Sequence, residues 1–384
     1  MAALSYVTDL SLRLGGGGSY AVNYHAFQQL SRQFETTYVG PVIPKPSEFE
    51  VLVSRIRRRI LGVSGRFAYF SPATLSANAR RVESQVAPGA RAILFRSATR
   101  WCRVKPRAPY FVYLDAVFHT FFENTFRADE FIRSDIERIC EEEANFLERA
   151  DGVFFESMWG MQKAKEAYSL HGPTYINVGR GGVLDPPPGD SWDGSSREIV
   201  TLAMNFEQKG GDIVLEVFKQ LKPLFPELRW RIIGGRPPQR VETIAGITYE
   251  GVLDPGQPAD KQRLETIMSN AFVLIHPTRE DTSPLVITEA AYFGCPSVSV
   301  NRFAIPELIV NGVTGLLVEH PEPSSIAAAL TELIQNPQRY RDMRENARKH
   351  SLTHSRWDRV GDLIHARISD VLGTRPAAHE RGAP

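Results

Sequence analysis

Short apolar runs alternate with amphipathic stretches along almost the whole chain. A short apolar run bounded by turn residues reads as a strand buried on both faces. Apolar residues recurring at three- and four-residue spacing read as a helix lying on the sheet. In the first half this places strands at 4–9, 35–40, 67–71, 91–95, 110–114, 152–155 and 174–177, with helices at 19–33, 47–61, 128–149 and 158–169. A second series has strands at 198–203, 228–233, 247–250, 272–275, 296–300 and 315–318. Its helices fall near 211–222, 259–269, 284–294, 304–310, 322–335 and 338–350. The alternation predicts α/β architecture, with two doubly wound, mostly parallel sheets. Between the two series stands LDPPPGDSWDGSS, residues 184–196. Three successive prolines neither continue a helix nor join a central strand. The expected division is therefore 1–184 as a first domain, 185–196 as linker and 197–354 as a second domain. A last amphipathic helix is expected over 355–372, with Val360, Leu363, Ile364, Ile368 and Leu372 as its apolar positions, and then a disordered tail at 373–384.

Length supports the division, because 384 residues exceed one ordinary core. A content of 42% hydrophobic and 23% charged residues is that of a folded globular chain. The net charge of +1 hides an asymmetry: residues 1–127 hold 17 Lys and Arg against 7 Asp and Glu, leaving 28 against 37 for the remainder. A basic first portion fits an anionic partner such as a phosphorylated acceptor or a membrane surface, or else scattered solubilising arginines. No basic motif interleaved with aromatics appears, so no nucleic acid is expected. In the predicted helix 47–61, Phe49, Leu52, Val53, Ile56 and Ile60 share one face, and Arg55, Arg57, Arg58 and Arg59 crowd much of the rest. That pattern fits a helix lying on an anionic membrane and also an ordinary surface helix. Three cysteines, Cys102, Cys140 and Cys295, match neither a disulfide framework nor a zinc site and imply a reducing compartment. The N-terminus has no signal-peptide pattern, and no run approaches the length of a membrane span. The expected location is cytoplasmic, with peripheral contact at the inner membrane face.

Three segments carry candidate chemistry. Gly15-Gly16-Gly17-Gly18-Ser19 follows the first strand, where glycines let the backbone approach a phosphate at a helix N-terminus; a plain tight turn is the alternative. The second strand ends in Tyr38-Val39-Gly40 without an acidic partner, which weakens a nicotinamide-binding reading. Lys209, in Phe206-Glu-Gln-Lys-Gly-Gly-Asp212, stands just past a strand's carboxyl end, where doubly wound sheets bind ligands and an ammonium can neutralise a diphosphate. The richest segment is HPTREDTSPLVITEAAYFGCP, residues 276–296. A polar loop leads from a strand into a helix beginning near Pro284, with Thr282 or Ser283 as candidate caps. Asp281 and Glu289 lie eight residues apart, and each carboxylate can accept two hydroxyl hydrogen bonds, one from a sugar and one from a ribose diol. Glu289 is flanked by Val286, Ile287, Ala290 and Ala291, and an acid in so apolar a stretch needs a partner.

With these residues the chain resembles glycosyltransferase family 4, a family of retaining GT-B enzymes. Asp281-Thr-Ser-Pro-Leu285-Val-Ile-Thr-Glu289-Ala matches the family's paired-acid motif, with Asp in place of the first Glu. Lys209-Gly210-Gly211, Gly294-Cys-Pro-Ser-Val and Ile305-Pro-Glu307 through Gly315-Leu-Leu-Val match further. The chain departs at Met204, where the family often has Arg, and at Phe303-Ala304, where Gly-Gly is usual. The resemblance implies two Rossmann-like domains facing across a cleft, with the C-terminal helix crossing back to the first domain. It implies a UDP-, GDP- or ADP-sugar donor, no required cofactor or metal, and a sugar-bearing acceptor, a saccharide, glycolipid or other glycan precursor, of which anionic or lipid-linked forms would suit the basic first portion. By the same resemblance Lys209 would contact the donor diphosphate, Asp281 the transferred sugar and Glu289 the ribose. Thr282, Ser283 and Leu285 would meet phosphate or sugar, Gly17 and Gly18 would approach the diphosphate, and Gly251 and Val252 would lie near the base. Asp115, closing a strand of the first domain, and His119 after it would act on the donor sugar or acceptor. The rival readings are a GT-B phosphorylase or epimerase, a catalytically inactive nucleotide-sugar-binding protein and an NAD-dependent dehydrogenase.

Overall fold

The protein is described by a computed structural model over residues 1–43, 45–172 and 174–374. Its first twelve elements are β1 Ala3–Val7, α1 Gly18–Ser31, β2 Glu35–Val39, α2 Glu48–Leu61, α3 Pro72–Gln85, β3 Ala92–Arg96, β4 Tyr110–Leu114, α4 Phe118–Thr125, α5 Arg133–Glu148, β5 Gly152–Phe155, α6 Met158–Tyr168 and β6 Tyr175–Asn177. There follow β7 Glu198–Ala203, α7 Gly211–Leu221, β8 Arg229–Gly234, α8 Gln239–Glu242, β9 Ile247–Gly251, α9 Pro258–Asn270, β10 Val273–His276, α10 Leu285–Tyr292, β11 Ser297–Val300, α11 Ile305–Leu308, β12 Gly315–Val318, α12 Pro323–Gln335, α13 Pro337–His354 and α14 Trp357–Thr374.

The chain divides into two units. One holds Met1–Leu12, Asn23–Gly179 and the chain from Asp358 onward; the other holds Arg13–Val22 and Arg180–Trp357. The first unit is built on a six-stranded parallel sheet in the order β2-β1-β3-β4-β5-β6. Every residue of β3, β4 and β5 is buried, as expected for strands covered by helices on both faces. The chain returns to this unit at its end. Within it, α14 sets His365 against Phe34, Arg367 donates to the Asp151 carbonyl, and Asp362 accepts from Gln33. The returning C-terminal helix expected from the sequence is therefore present. Gly373 and Thr374 still belong to it, whereas the rest of the expected tail, 375–384, lies outside the described residues.

The second unit has its own six-stranded parallel sheet, in the order β12-β11-β10-β7-β8-β9. Its proline-rich segment forms no strand or helix, but it is packed down. Asp190 accepts from Arg344 of α13 at 2.8 and 2.6 Å, and Trp192 lies edge-on to Tyr340 with ring centres 5.0 Å apart. Arg344 is 2% exposed and also donates to the carbonyls of Ala271 and Phe293.

Several sequence expectations for elements differ from the structure, the short α8 among them. The strand expected at 67–71 is a 3₁₀ turn over Ala68–Phe70. Phe67 stacks on Phe131 and meets Phe118, Phe122 and Phe126 edge-on, so this apolar run fills a phenyl cluster instead of a sheet. Ser71 then caps α3, with Pro72 in its first turn. Helix α3 carries no clear sign in the sequence, because its buried apolar stripe is only Leu75, Ala79 and Val82. The eight-residue α4 is absent from the sequence expectation, and the helix expected from 128 begins at Arg133.

Arg344→Ala strands Asp190 and several buried carbonyls without their donor. We expect a loss of about 3–5 kcal/mol, read as a lower urea midpoint at unchanged m-value.

Candidate functional site

In the second sheet the strand order reverses between β7 and β10: β8 and β9 lie to one side, β11 and β12 to the other. The loops leaving these two strands diverge there, which is where open α/β sheets hold ligands. Glycine allows the two loops to meet. Gly210 has φ 78°, and a Cβ there would come 2.4 Å from the Pro277 carbonyl oxygen. The amide of Arg279 donates to the Gln208 carbonyl at 3.0 Å, and the Arg279 guanidinium grips Asp212 with two contacts of 2.8 Å. The loop after β7 is thus fastened to the loop after β10.

That fastening brings Lys209 to Asp281. Lys209 Nζ lies 2.7 Å from Asp281 Oδ2, with side-chain exposures of 22% and 24%. His276, the last residue of β10, is 1% exposed, and its Nε2 lies 3.4 Å from the same oxygen. The hydroxyl of Thr278 accepts from the Asp281 amide at 3.1 Å and so fixes the carboxylate's backbone. Burial would raise the Asp281 pKa, but the contacts with His276 and the Lys209 ammonium outweigh it and hold the carboxyl well below the usual range. The sequence places Lys209 and Asp281 in one site and gives His276 no role. A histidine closing an apolar strand carries no signal of its own, and only the register of β10 points it at Asp281.

The helix after Asp281 begins one residue later than expected. Pro284 is the N-cap of α10, and neither Thr282 nor Ser283 caps it by a side chain. The first-turn amides beginning at Leu285 therefore carry no side-chain cap, and the positive end of the helix lies just past Asp281. Glu289, one turn further, is 5% exposed. Its Oε1 accepts from the Val183 amide at 2.8 Å, so the partner that its apolar setting demanded is main chain. Burial raises its pKa; the Val183 amide, Arg180 and the Leu184 amide oppose that rise. The adjoining Gly182 donates its amide to the Tyr292 hydroxyl at 3.1 Å, and a Cβ there would come 2.9 Å from the Tyr292 ring and 3.0 Å from Glu289 Cγ. The sequence expectations leave the Arg180–Leu184 segment out of the site, although Gly181-Gly182 signals close backbone approach.

Gly251 ends β9 with φ 79°, and Val252 after it is 57% exposed. Arg13–Val22 groups with the second unit. In that group a Cβ on Gly18 would come 2.9 Å from Leu285, whereas Gly17, at φ 109°, has open space around it. Asp115 and His119 belong to the first unit. Asp115 is exposed just past β4, accepting from the Ala116 amide at 2.8 Å. His119 opens α4, where its amide donates to the Tyr168 hydroxyl at 3.2 Å and its Nδ1 lies 3.4 Å from Glu123. The Tyr168 hydroxyl donates in turn to the buried Glu143, which also accepts from the Phe118 amide at 2.6 Å.

Two doubly wound parallel sheets in one chain, with a C-terminal helix returning to the first, define the GT-B class of fold. Comparison with known proteins agrees. Over 98% of its length the chain superposes on all of the sucrose-phosphate synthase of Thermosynechococcus elongatus, with a TM-score of 0.71 at 15% identity. It superposes over 97% of its length on 99% of the Anabaena protein HepE, solved with UDP and glucose, with a TM-score of 0.63 at 15% identity. In sequence it is 26% identical over 191 residues to the GDP-mannose-dependent alpha-(1-6)-phosphatidylinositol monomannoside mannosyltransferase of Mycolicibacterium smegmatis. That stretch is 47% of this chain and 49% of the relative, so the match spans about half the length of that protein. Residues 190–350 match the family model described as glycosyl transferases group 1.

The depressed Asp281 pKa has a consequence in acid. A carboxyl held below its unfolded value contributes stability above that value and loses it as pH falls through the folded one. Between about pH 5 and pH 2 the wild-type melting temperature should therefore fall more steeply than that of Asp281→Asn. Parallel slopes in a pH series of thermal melts would refute the pairing.

Proposed function

We propose that the chain transfers a sugar from a nucleotide-diphosphate donor to an acceptor hydroxyl, with retention at the anomeric carbon and without a catalytic metal. The observation that carries this reading is the Lys209–Asp281 pair at the strand-order reversal, beside the first turn of α10. HepE, which shares the fold, was solved with UDP and glucose. The Lys209 ammonium turns from Asp281 to the donor diphosphate, and the amides near Ser283 and Leu285 meet the same charge. Asp281, released, accepts hydrogen bonds from hydroxyls of the transferred sugar. Glu289 offers its second carboxylate oxygen to the ribose, and Gly251 and Val252 flank the base. Gly17 and Gly18 approach the diphosphate, and Thr282 lines its loop.

In the transfer, the bond from the anomeric carbon to the diphosphate oxygen breaks as the acceptor oxygen bonds to the same face of that carbon. The acceptor's proton passes to the departing diphosphate. The protein's part is to stabilise the leaving charge and to hold both substrates in register. Asp115 and His119 serve the acceptor or the donor sugar from the first domain, 1–184. The acceptor is a sugar-bearing molecule, anionic or lipid-linked. The relative named above acts on a phosphatidylinositol-linked mannoside. For this chain we infer a cytoplasmic enzyme meeting the membrane peripherally through residues 47–61.

Thermal shift with UDP, GDP, ADP and their common sugars tests the donor site. One nucleotide series should raise the melting temperature, and Lys209→Ala should weaken its binding by about ten- to a hundredfold, the scale of a lost charge-assisted hydrogen bond. A folded wild-type protein that responds to no nucleotide sinks the reading.

A further inference from the structure

Strands β7, β10 and β11 lie side by side in the second sheet, and the loop leaving each of them carries one cation. Lys209, after β7, holds Asp281 at 2.7 Å. Arg279, after β10, holds Asp212 at 2.8 Å. Arg302 stands two residues past the end of β11. It is exposed and forms no ion pair among the described residues. Its followers in the chain, Phe303, Ala304 and Ile305, bring no charge. The acid beside this loop, Glu319, is met by the Asn301 side-chain amide at 2.7 Å. Of the cations along this edge, two are therefore matched within the protein and Arg302 is held in reserve.

The place of Arg302 is fixed by its turn. The Ile305 amide donates to the Arg302 carbonyl at 3.2 Å, and the Ala304 amide donates to the Thr282 carbonyl at 2.9 Å. Ala304 is 1% exposed. The loop after β11 is thereby moored to the residue next to Asp281. Phe303, between them, has φ 58°. That left-handed conformation suits glycine and disfavours a bulky side chain, so it persists only where the surroundings over-determine it. The turn is a held structure and not a loose surface bend. Two residues of chain separate Arg302 from the moored Ala304, a span of about 7 Å at most. A long, unpaired guanidinium side chain thus starts beside the loop that carries Asp281.

We propose that Arg302 binds a carboxylate on the transferred sugar, and that the donor is a nucleotide-linked hexuronate. This rests on the donor reading above and deepens it by naming the class of sugar. On that reading the donor crosses the strand ends in order, with the base at Gly251 and Val252 after β9, the diphosphate at Lys209 after β7 and the sugar at Asp281 after β10. The next strand in the sheet is β11, so Arg302 meets the end of the sugar remote from the phosphates. A guanidinium presents paired donors that match the two oxygens of a carboxylate. Charge balance selects the same class. Asp281 and Glu289 already bring two acids to the site, and Lys209 is taken up by the diphosphate. A neutral hexose leaves Arg302 unused, whereas a hexuronate without Arg302 meets only like charge at that end. Arg302 is thus the residue that admits an acidic sugar to a site otherwise hostile to one.

Calorimetric titration of the full chain with three donor pairs tests this: UDP-glucose against UDP-glucuronate, UDP-galactose against UDP-galacturonate, and GDP-mannose against GDP-mannuronate, with UDP and GDP alone beside them. In at least one pair the uronate should bind about tenfold tighter or more, the scale of a charge-assisted hydrogen-bonded pair. Arg302→Gln should erase that preference, lowering uronate binding about tenfold or more relative to that of the bare nucleotide. Arg302→Lys should restore part of it. A merely structural role would leave the ratio of uronate to hexose where it was. A protein that binds UDP or GDP but favours the uronate in none of the pairs overturns the proposal, and so does a preference that survives Arg302→Gln. An Arg302→Gln variant that loses bare nucleotide and uronate in equal measure also overturns it, because the guanidinium then sits on the phosphates. In each of these outcomes a nucleotide still binds and the transferase reading stands; a folded protein that responds to no nucleotide sinks both.

Discussion

The candidate site depends on the close approach of two backbones, Gly210 and Pro277. Strands β7 and β10 are neighbours in the sheet although much of the second unit separates them in sequence. Side-by-side placement alone leaves their following loops free to diverge. With no side chain at 210, the loop after β7 rests against the carbonyl of Pro277, and the Arg279 amide then reaches Gln208. Lys209 and Asp281 are adjacent because their chain neighbours are locked together, not because opposite charges found one another. Their mutual attraction is modest for groups that keep about a quarter of their surface exposed. The backbone supplies the pre-organisation, and the ion pair occupies it.

The two units were legible in the sequence to different degrees, for physical reasons. In the second unit the strands are short apolar runs bounded by Gly, Pro and polar loops, and β7 and β12 fall on the expected residues. Parallel sheets covered on both faces write themselves as continuous apolar runs. The first unit mixes that signal with aromatic packing. Phe67, Phe70, Phe118, Phe122, Phe126 and Phe131 build a satellite cluster, and a run that feeds it resembles a strand. Local pattern cannot tell a phenylalanine that fills a sheet from one that fills a helix junction.

The candidate chemistry divides in the same way. Lys209, Asp281 and Glu289 announced themselves because charged residues near strand ends and within an apolar helix call for partners. The partners themselves did not. His276 reaches Asp281 through strand register, and Val183 reaches Glu289 through the path of a loop without regular structure. A single sequence marks a polar group's need far more clearly than the group that meets it. The segment 47–61 is the opposite case. Its apolar and basic faces are plain in sequence, but the contacts of Glu50 with the Ser71 and Thr74 hydroxyls are not.

The resting pair also bears on how a donor would be recognised. Asp281 is held ionised in a half-buried position by Lys209 and His276. A ligand that takes Lys209 away leaves that carboxylate short of a partner, and such a group is costly unless hydrogen bonds replace what it lost. A nucleoside diphosphate satisfies the lysine alone. A nucleotide sugar satisfies the lysine with its phosphates and the carboxylate with its hydroxyls, so both ends of one ligand are needed to exchange the ion pair without loss. On the proposed function, Lys209 and Asp281 therefore select jointly for the intact donor over the spent one, and Asp281, a methylene shorter than Glu, requires the sugar to come close to the loop that fixes it.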